Sequence, residues 1–182
     1  MQTHRLIAFL VLAIGGVSVA AESDIAQIRA EYQAIRTALP NLKVETITLD
    51  GISTEGADAK AYRDGKGNVR LIRAELFFES GKEIGEYYYK DGRLIFSFYT
   101  THRYNAPSHL TRERAKEIGI NAFDPKKTKV SEDRYYFKDG KLIRWLGEAK
   151  REVDARSKEY KDAEKSLLEF SNELLSKFKR KP

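Results

Sequence analysis

Hydrophobic and polar residues follow two rhythms along this chain, and each rhythm predicts a different kind of element. Apolar residues recur at helical spacing over residues 23–39 and again over 149–179, which predicts a helix before and after the central region. Between them, aromatic and aliphatic residues alternate with polar ones, as in half-buried strands. The strands are predicted at 43–49, 69–79, 84–90, 93–101, 130–138 and 141–147. The pattern predicts an α+β fold, an antiparallel β-meander of about six strands with an N-terminal helix and a long C-terminal helix.

The first predicted helix has two unlike sides. Its apolar stripe predicts docking against the sheet and consists of Ile25, Ile28, Tyr32, Ile35 and Leu39. Its other side is interpreted as solvated and carries Gln27, Arg29, Glu31, Gln33 and Arg36. Asp24 followed by Gln27 is typical of a capping box, which places the start of the helix beside Asp24.

A nine-residue stretch that occurs twice predicts the tightest turns of the sheet. Residues 87–95 read YYYKDGRLI and residues 135–143 read YYFKDGKLI, with seven of the nine positions identical. Asp-Gly between such runs favours a two-residue type I′ turn, because both central residues of that turn need positive φ. Hairpins are therefore predicted at Asp91-Gly92 and Asp139-Gly140, with a further two-residue turn at Ser80-Gly81.

Two-residue turns fix strand register, so the faces of the sheet follow by counting outward from each turn. One face is predicted to be core and collects Ile72, Ala74, Leu76, Phe78, Tyr87, Tyr89, Leu94, Phe96 and Phe98. The other face mixes aromatic and charged side chains, and its candidate ligand-binding residues are Arg73, Tyr88, Arg93, Tyr99, Arg134, Tyr136 and Trp145. Aromatic rings beside cations suit sugars, peptides and anionic polymers. The alternative is that the C-terminal helix covers this face and its aromatic residues form a second core.

Residues 1–20 have the pattern of an export signal. A weakly basic start is followed by an apolar run over 6–14 and by small residues at Ser18 and Ala20. The apolar run is too short to span a membrane. We therefore expect cleavage after Ala20 and a periplasmic location, with secretion as the alternative. The mature chain, 21–182, is expected to be a single α+β domain without a transmembrane segment.

Composition narrows the chemistry that the chain can perform. It has no cysteine, which excludes thiolate–zinc sites and cysteine nucleophiles. Its 33 Lys and Arg against 27 Asp and Glu give a net charge of +6. We expect an unknown protein or an anionic envelope component as partner, and no nucleic acid, because the chain carries an export signal. The common phosphate-binding, hydrolase, zinc-protease and dinucleotide motifs do not occur in the sequence, and no cofactor is predicted.

A long insertion over residues 103–129 separates the two copies of the nine-residue stretch, inside a sheet predicted to span 43–147. Loops of this length in a compact domain are uncommon and are often functional. A short helix is predicted within the insertion over 111–118, ending at Gly119. If the protein inhibits another exported protein, this insertion is the expected inhibitory loop.

Two further arrangements would suit an enzyme. Glu75 is predicted opposite Glu86, and paired carboxylates catalyse glycoside hydrolysis. His102 and His109 are candidates to share a metal ion with Glu113. The alternatives are a carboxylate pair balanced by a neighbouring arginine and isolated surface histidines.

Residues 81–94, which read GKEIGEYYYKDGRL, resemble the hairpin repeat of MORN-like proteins and of related bacterial antitoxin-type repeats. The shared features are Gly-Lys, Gly-Glu-aromatic and Tyr-x-Asp-Gly-[Lys/Arg]-Leu, and the resemblance covers about residues 62–146. The spacing departs from the family, because the turn glycines lie 16, 11 and 48 residues apart, at Gly65, Gly81, Gly92 and Gly140. The resemblance implies a hairpin-built sheet and a binding role, and it implies no catalytic residue.

These observations together predict an exported, non-catalytic binding or protein-interaction module that uses its aromatic-basic sheet face. The alternatives are an inhibitor of an exported protein that acts through the 103–129 loop, and an atypical cell-envelope hydrolase.

Overall fold

The computed structural model describes residues 19–179. Its strands are β1 (Lys43–Thr48), β2 (Ala57–Arg63), β3 (Val69–Phe78), β4 (Gly81–Lys90), β5 (Arg93–Arg103), β6 (Lys129–Lys138) and β7 (Lys141–Leu146). Its α-helices are α1 (Val19–Ala38), α2 (Arg112–Glu117) and α3 (Lys158–Lys177), and short 3-10 turns lie at Leu39–Asn41, Pro125–Lys127 and Glu148–Lys150. The predicted signal peptide lies outside the described residues except for Val19 and Ala20, with which α1 begins.

The seven strands form one antiparallel sheet in which each strand pairs with its neighbour in sequence. α1 packs on one face of this sheet and α3 packs on the other. The α1 side buries Ile25, Ile28, Ile35, Leu71, Tyr88, Phe96, Tyr136 and Leu146. The α3 side has the larger core, which includes Ile72, Tyr87, Tyr89, Phe137, Trp145, Tyr160 and Leu174. The predicted α+β class, with an antiparallel meander between two helices, is confirmed.

β2 is the strand that the sequence pattern does not predict. Its inward-facing residues are Ala57, Ala59 and Ala61, all buried, and they alternate with the exposed Asp58 and Lys60. Alanine is small and is depleted in strands, so this alternation carries little hydrophobic contrast. The stretch before β2 contains Gly51 and Gly56 and is typical of a loop. The sheet therefore has seven strands where about six are predicted.

Both Asp-Gly turns have the predicted geometry. Asp91 and Gly92 have φ values of 50° and 74°, and Asp139 and Gly140 repeat them at 49° and 74°. Positive φ at both central residues is the requirement of a type I′ turn. The repeated sequence thus forms the same hairpin twice.

Each of these hairpins also contains a bulge that the sequence analysis does not predict. Tyr89 pairs with Leu94, but Tyr88 pairs with Phe96, so Ile95 is an extra residue on its strand. The second hairpin repeats this bulge, with the register shift between residues 136 and 137. Because side chains alternate along a strand, one extra residue moves every later residue to the opposite face.

The turn between β3 and β4 lies at Glu79-Ser80, one residue earlier than predicted. Phe78 pairs with Gly81 across it, so Gly81 already belongs to a strand. A Cβ atom at Gly81 would overlap the backbone carbonyl oxygen of His102 on β5. The glycine therefore allows two strands to approach closely, and it is not a turn residue.

The two long helices have different limits from those predicted. α1 already includes Val19, so Asp24 is an interior residue, and the capping-box prediction is wrong. α3 begins at Lys158, where the Ser157 hydroxyl accepts a hydrogen bond from the Tyr160 N–H at 3.1 Å. Residues 151–153 instead form backbone hydrogen bonds of 2.8 and 3.0 Å with the end of β7. No helix within residues 19–179 is long and apolar enough to cross a membrane.

Candidate functional site

α1 crosses the sheet above a row of large side chains from four neighbouring strands. Leu71, Tyr88, Phe96 and Tyr136 follow one another in register from β3 to β6, and all are buried. The ring centre of Tyr32 on α1 lies 4.9 Å from that of Tyr88 and 5.3 Å from that of Phe96, both edge-on. Tyr88 and Tyr136 of the predicted mixed face are thus part of a core, as its alternative expects. Phe96, predicted for the other face, joins them because it follows the bulge at Ile95. However, the helix that covers it is α1 and not the C-terminal helix.

The hydroxyl group of Tyr88 joins this core to an ionic network. It donates a hydrogen bond to the Glu86 carboxylate at 2.6 Å, and the Arg36 guanidinium of α1 lies 3.5 Å from the same carboxylate. Burial, and then the bond to Glu86, raises the pKa of Tyr88 well above its usual range. Arg73 faces Glu86 and also contacts Glu75. The charges of this network are balanced internally, so it holds α1 on the sheet.

The seven predicted ligand-binding residues lie in three different places. The α1 side of the sheet holds Arg73, Tyr88, Arg134 and Tyr136. Arg93 is exposed at the tip of the first Asp-Gly hairpin, where its guanidinium lies 3.4 Å from the Asp139 carboxylate. The α3 side holds Tyr99 and Trp145. The residues therefore do not form one face.

The bulges explain why Tyr99 and Trp145 lie on the α3 side. Each residue follows the bulge in its own strand, so it lies on the face opposite to the one obtained by counting from the turn. The Tyr99 hydroxyl donates to the Glu83 carboxylate at 2.6 Å, and Trp145 Nε1 donates to Asp133 at 2.7 Å. Burial, and then the bond to Glu83, raises the pKa of Tyr99. Both side chains are thus held by strand neighbours.

Beside α1 the sheet forms a groove of about 220 Å³ that combines aromatic and cationic side chains. Its lining, which we call the α1 groove, is Ile28, Arg29, Tyr32, Gln33, Phe96, Phe98, Arg134 and Tyr136. Four of these residues come from consecutive turns of α1, and four come from β5 and β6. The groove brings Arg134 and Tyr136 of the predicted set together with Phe98. Counting from the turn without the bulge predicts Phe98 on the other face.

Two arginines flank the aromatic rings of the α1 groove. The guanidinium carbon of Arg134 lies 4.9 Å from the ring centre of Phe98, and that of Arg29 lies 5.7 Å from the ring centre of Tyr136. These distances are within the range of cation–π attraction. Arg134 also pairs with Glu132 at 2.6 Å. Arg29 has no carboxylate oxygen within 4.0 Å among the residues described, so its charge is available to a ligand.

A larger depression of about 440 Å³ lies near the tips of the two Asp-Gly hairpins, but its cations already have partners. Lys90 lies 3.4 Å from Glu31, and Lys138 lies 2.5 Å from Asp24. The hydrogen bond to Asp24 raises the pKa of Lys138. An acidic ligand would compete with these carboxylates, which makes the α1 groove the better candidate site.

The carboxylate pair considered for glycoside hydrolysis does not form. Glu75 lies opposite Ile84, and Glu86 lies opposite Arg73, because the turn between β3 and β4 falls one residue earlier than predicted. Arg73 contacts both carboxylates, and it is therefore their shared counter-charge.

The two histidines considered for a metal site have other neighbours. His109 Nε2 lies 3.9 Å from the Glu79 carboxylate, while His102 is a strand residue between Lys82 and Val130. Within residues 19–179, no three His, Asp or Glu side chains are grouped as a metal site requires.

Sequence reasoning finds Arg134 and Tyr136 of the α1 groove and misses Arg29 and Phe98. Arg29 belongs to a side of the helix interpreted as solvated, and helical spacing alone does not show which part of the sheet that side borders. Phe98 is hidden by the bulge at Ile95. Both copies of the repeat contain the bulge at the same position, at Ile95 and at Ile143.

Comparison with known proteins leaves the α1 groove to be interpreted from its own chemistry. No family model, curated protein or solved structure matches this chain. The MORN-like resemblance stays a prediction from the sequence.

Proposed function

We propose that this protein is an exported, non-catalytic binding module whose α1 groove holds an acidic group of its partner. The observation that carries the proposal is Arg29, a guanidinium 5.7 Å from the ring centre of Tyr136 and without a carboxylate partner among the residues described. A cation beside aromatic rings forms strong charge-assisted hydrogen bonds when an anion arrives. Export is inferred from the leader pattern of residues 1–20.

The size of the α1 groove indicates what kind of group it holds. Its volume of about 220 Å³ is below the roughly 300 Å³ at which pockets for drug-sized ligands begin. A groove of this size fits one side chain of a protein partner or a small organic acid. This favours an interaction module over an enzyme that encloses a large substrate.

The arrangement of the groove also indicates how a carboxylate would bind. Arg29 and Arg134 supply positive charge from α1 and β6, and the rings of Tyr32 and Phe98 supply apolar surface between the helix and the sheet. Glu132 already shares the charge of Arg134, so Arg29 provides most of the attraction. A side chain that carries a carboxylate on a short apolar stem satisfies both requirements.

A second candidate, an inhibitor that acts through the insertion, is favoured by one observation. The side chain of Asn105 joins the two ends of the insertion, donating to the Ala122 carbonyl at 2.9 Å and accepting from the Asp124 N–H at 2.8 Å. The rings of Tyr104 and Phe123 add a contact with centres 4.9 Å apart. A loop braced in this way loses little conformational freedom on binding, as an inhibitory loop requires.

The test of the proposed function is the capture of an envelope partner through the α1 groove. The purified protein and its Arg29→Ala/Arg134→Ala variant serve as baits for an envelope extract, and mass spectrometry identifies what each retains. A Lys43→Ala/Lys60→Ala variant is the matched control, because it removes the same charge from exposed positions of β1 and β2. We expect a partner that the protein and the control retain and the groove variant loses.

Two outcomes would contradict the proposal. A partner retained equally by all three baits would show that binding uses another surface. A partner lost by both double variants would show that net charge, and not the groove, drives the interaction. Thermal unfolding of each bait confirms that the comparison is between folded proteins.

A further inference from the structure

The insertion, residues 103–129 with the last residue of β5 and the first of β6 included, contains or adjoins most of the exposed large hydrophobic side chains. Among the residues described, four large hydrophobic side chains are exposed, and three of them belong to the insertion or follow it directly. These are Ile118 at 48%, Ile120 at 51% and Val130 at 53%, and the fourth is Val44 at 54%. Single exposed hydrophobic residues are ordinary, so the meaning of these side chains depends on the charges of the same segment.

The same segment also carries most of the net charge of the chain. Residues 103–129 contain seven Lys and Arg against three Asp and Glu, a net charge of +4 out of +6. One of the seven cations, Arg114, pairs with Glu117 at 2.8 Å. The other six have no carboxylate oxygen within 4.0 Å among the residues described, and they are Arg103, Arg112, Lys116, Lys126, Lys127 and Lys129.

The two isoleucines are held in place by the end of α2. Gly119 between them has a φ of 72°, the left-handed conformation that ends many helices. The Ile118 N–H bonds back to the Arg114 carbonyl at 3.2 Å, and the Ile120 N–H bonds to the Ala115 carbonyl at 3.0 Å. The apolar side chains are thus fixed next to the cations of α2.

We propose that the insertion docks the protein on a membrane surface that carries anionic lipids. Ile118 and Ile120 enter the interfacial layer, and the unpaired lysines and arginines face the lipid phosphates. Surface binding of this kind needs both contributions, because its strength depends on buried apolar area and on attraction to anionic headgroups. The surface is separate from the α1 groove, which contains no residue of the insertion.

A lipid surface fits these residues better than an acidic protein does. The cations are spread over the insertion from residue 103 to residue 129, and the exposed isoleucines stand on either side of a glycine at a helix end. A fluid layer of headgroups adapts to such a spread, whereas a protein partner must place an acidic side chain opposite each cation. Three depressions could hold a protein side chain, and they lie beside α1, near the tips of the Asp-Gly hairpins and beside the end of α3. None of them is lined by a residue of the insertion.

The experiment measures sedimentation of the purified protein with two kinds of vesicle. One kind contains phosphatidylcholine alone, and the other contains phosphatidylcholine and phosphatidylglycerol in equal parts. We expect binding to the anionic vesicles only, and a decrease in that binding as salt is added, because salt screens exposed charges.

Matched variants assign the binding to the insertion. Ile118→Ser/Ile120→Ser should weaken binding about tenfold or more, whereas Val44→Ser removes a side chain of similar exposure elsewhere and should leave it unchanged. Lys126→Gln/Lys127→Gln should weaken binding roughly thirtyfold, from the usual contribution of cations near an anionic surface.

The remaining outcomes would overturn the proposal. Equal binding to both vesicle types would show that the anionic charge of the lipid is not recognised. Insertion variants that bind like the unchanged protein would show that another surface is responsible. A protein that sediments with neither vesicle also overturns the proposal, and capture of an acidic protein lost on Ile118→Ser/Ile120→Ser would then assign the insertion to a protein target.

Discussion

The sheet beneath α1 and the insertion contain the same types of residue in opposite states. Beneath α1, aromatic side chains such as Tyr88 are buried, and cations have partners, as Arg73 has in Glu75 and Glu86. In the insertion, Ile118 and Ile120 are exposed, and six of seven cations lack an ion pair among the residues described. Residue type alone therefore does not locate a binding surface. What distinguishes a binding surface is that its apolar side chains are not buried and its charged side chains are not paired within the protein.

The α1 groove combines features of both regions. Its aromatic floor is continuous with the buried row, since Phe96 and Tyr136 belong to both. Its cation Arg29 has no carboxylate partner among the residues described. The groove thus combines a rigid base with an unsatisfied charge, which is the combination that binding sites use.

The largest effect on stability is expected for Tyr88→Ala, because Tyr88 is buried at the centre of the α1-covered row. Removing a buried aromatic ring costs about 3–5 kcal/mol in the free energy of unfolding. Ile120→Ala in the insertion should change it by no more than about 0.5 kcal/mol, as exposed substitutions do. Urea unfolding of the two variants measures both values. Similar small losses would show that α1 does not cover the row.

A pair of glycines tests how tightly the strands are held next to the insertion. Gly81→Ala should cost roughly 1–3 kcal/mol, because its new Cβ would overlap the carbonyl oxygen of His102. Gly65→Ala is the matched control, since nothing lies within 4 Å of a Cβ atom there. Thermal unfolding should separate the two variants clearly. Equal unfolding temperatures would mean that β4 and β5 separate easily at this end.

Two cations extend the comparison to charge. Arg36→Ala leaves the Glu86 carboxylate, which is 14% exposed, with less compensation, and should cost about 1 kcal/mol. Lys126→Ala in the insertion should change the free energy of unfolding by less than about 0.5 kcal/mol. Chemical denaturation at low and high salt checks the assignment. An equal response from both variants would remove the proposed difference between paired and unpaired cations.

The smallest effect is expected at the hairpin tip. Arg93→Ala removes an ion pair with Asp139 in which the two side chains are 72% and 73% exposed. Exposed pairs of this kind contribute from nothing to about 1 kcal/mol, and this one should fall at the lower end. Denaturant unfolding of Arg93→Ala beside Asp139→Ala measures it. A substantial loss from either change would give the tip a structural role that the geometry does not indicate.

Much of the fold could be predicted from the sequence, because short-range chemistry sets it. Asp-Gly specifies its own turn, and the stripe from Ile25 to Ile35 predicts a helix that docks on the sheet. Thr111 and Gly119 likewise bracket α2 as predicted. β2 is not predicted, because its buried residues are alanines and the difference in hydrophobicity from their polar neighbours is small.

The site is harder to predict, because it depends on relations between distant segments. A bulge of one residue at Ile95 moves Phe98 into the α1 groove and Tyr99 away from it. Which helix covers which face depends on tertiary packing, and apolar stripes alone do not distinguish α1 from α3. Arg29 becomes a candidate residue only when the helix is placed on the sheet.

The most direct test of the central claim is an NMR titration of the α1 groove with benzoate and, separately, with benzamide. The two probes share a ring, but only benzoate carries a negative charge. Benzoate should shift the signals of Arg29, Phe98 and Arg134, benzamide should shift them far less, and Arg29→Ala should abolish the response to benzoate. Equal shifts from both probes, or no benzoate shifts in the groove, would contradict the assignment of this groove as a site for acidic groups.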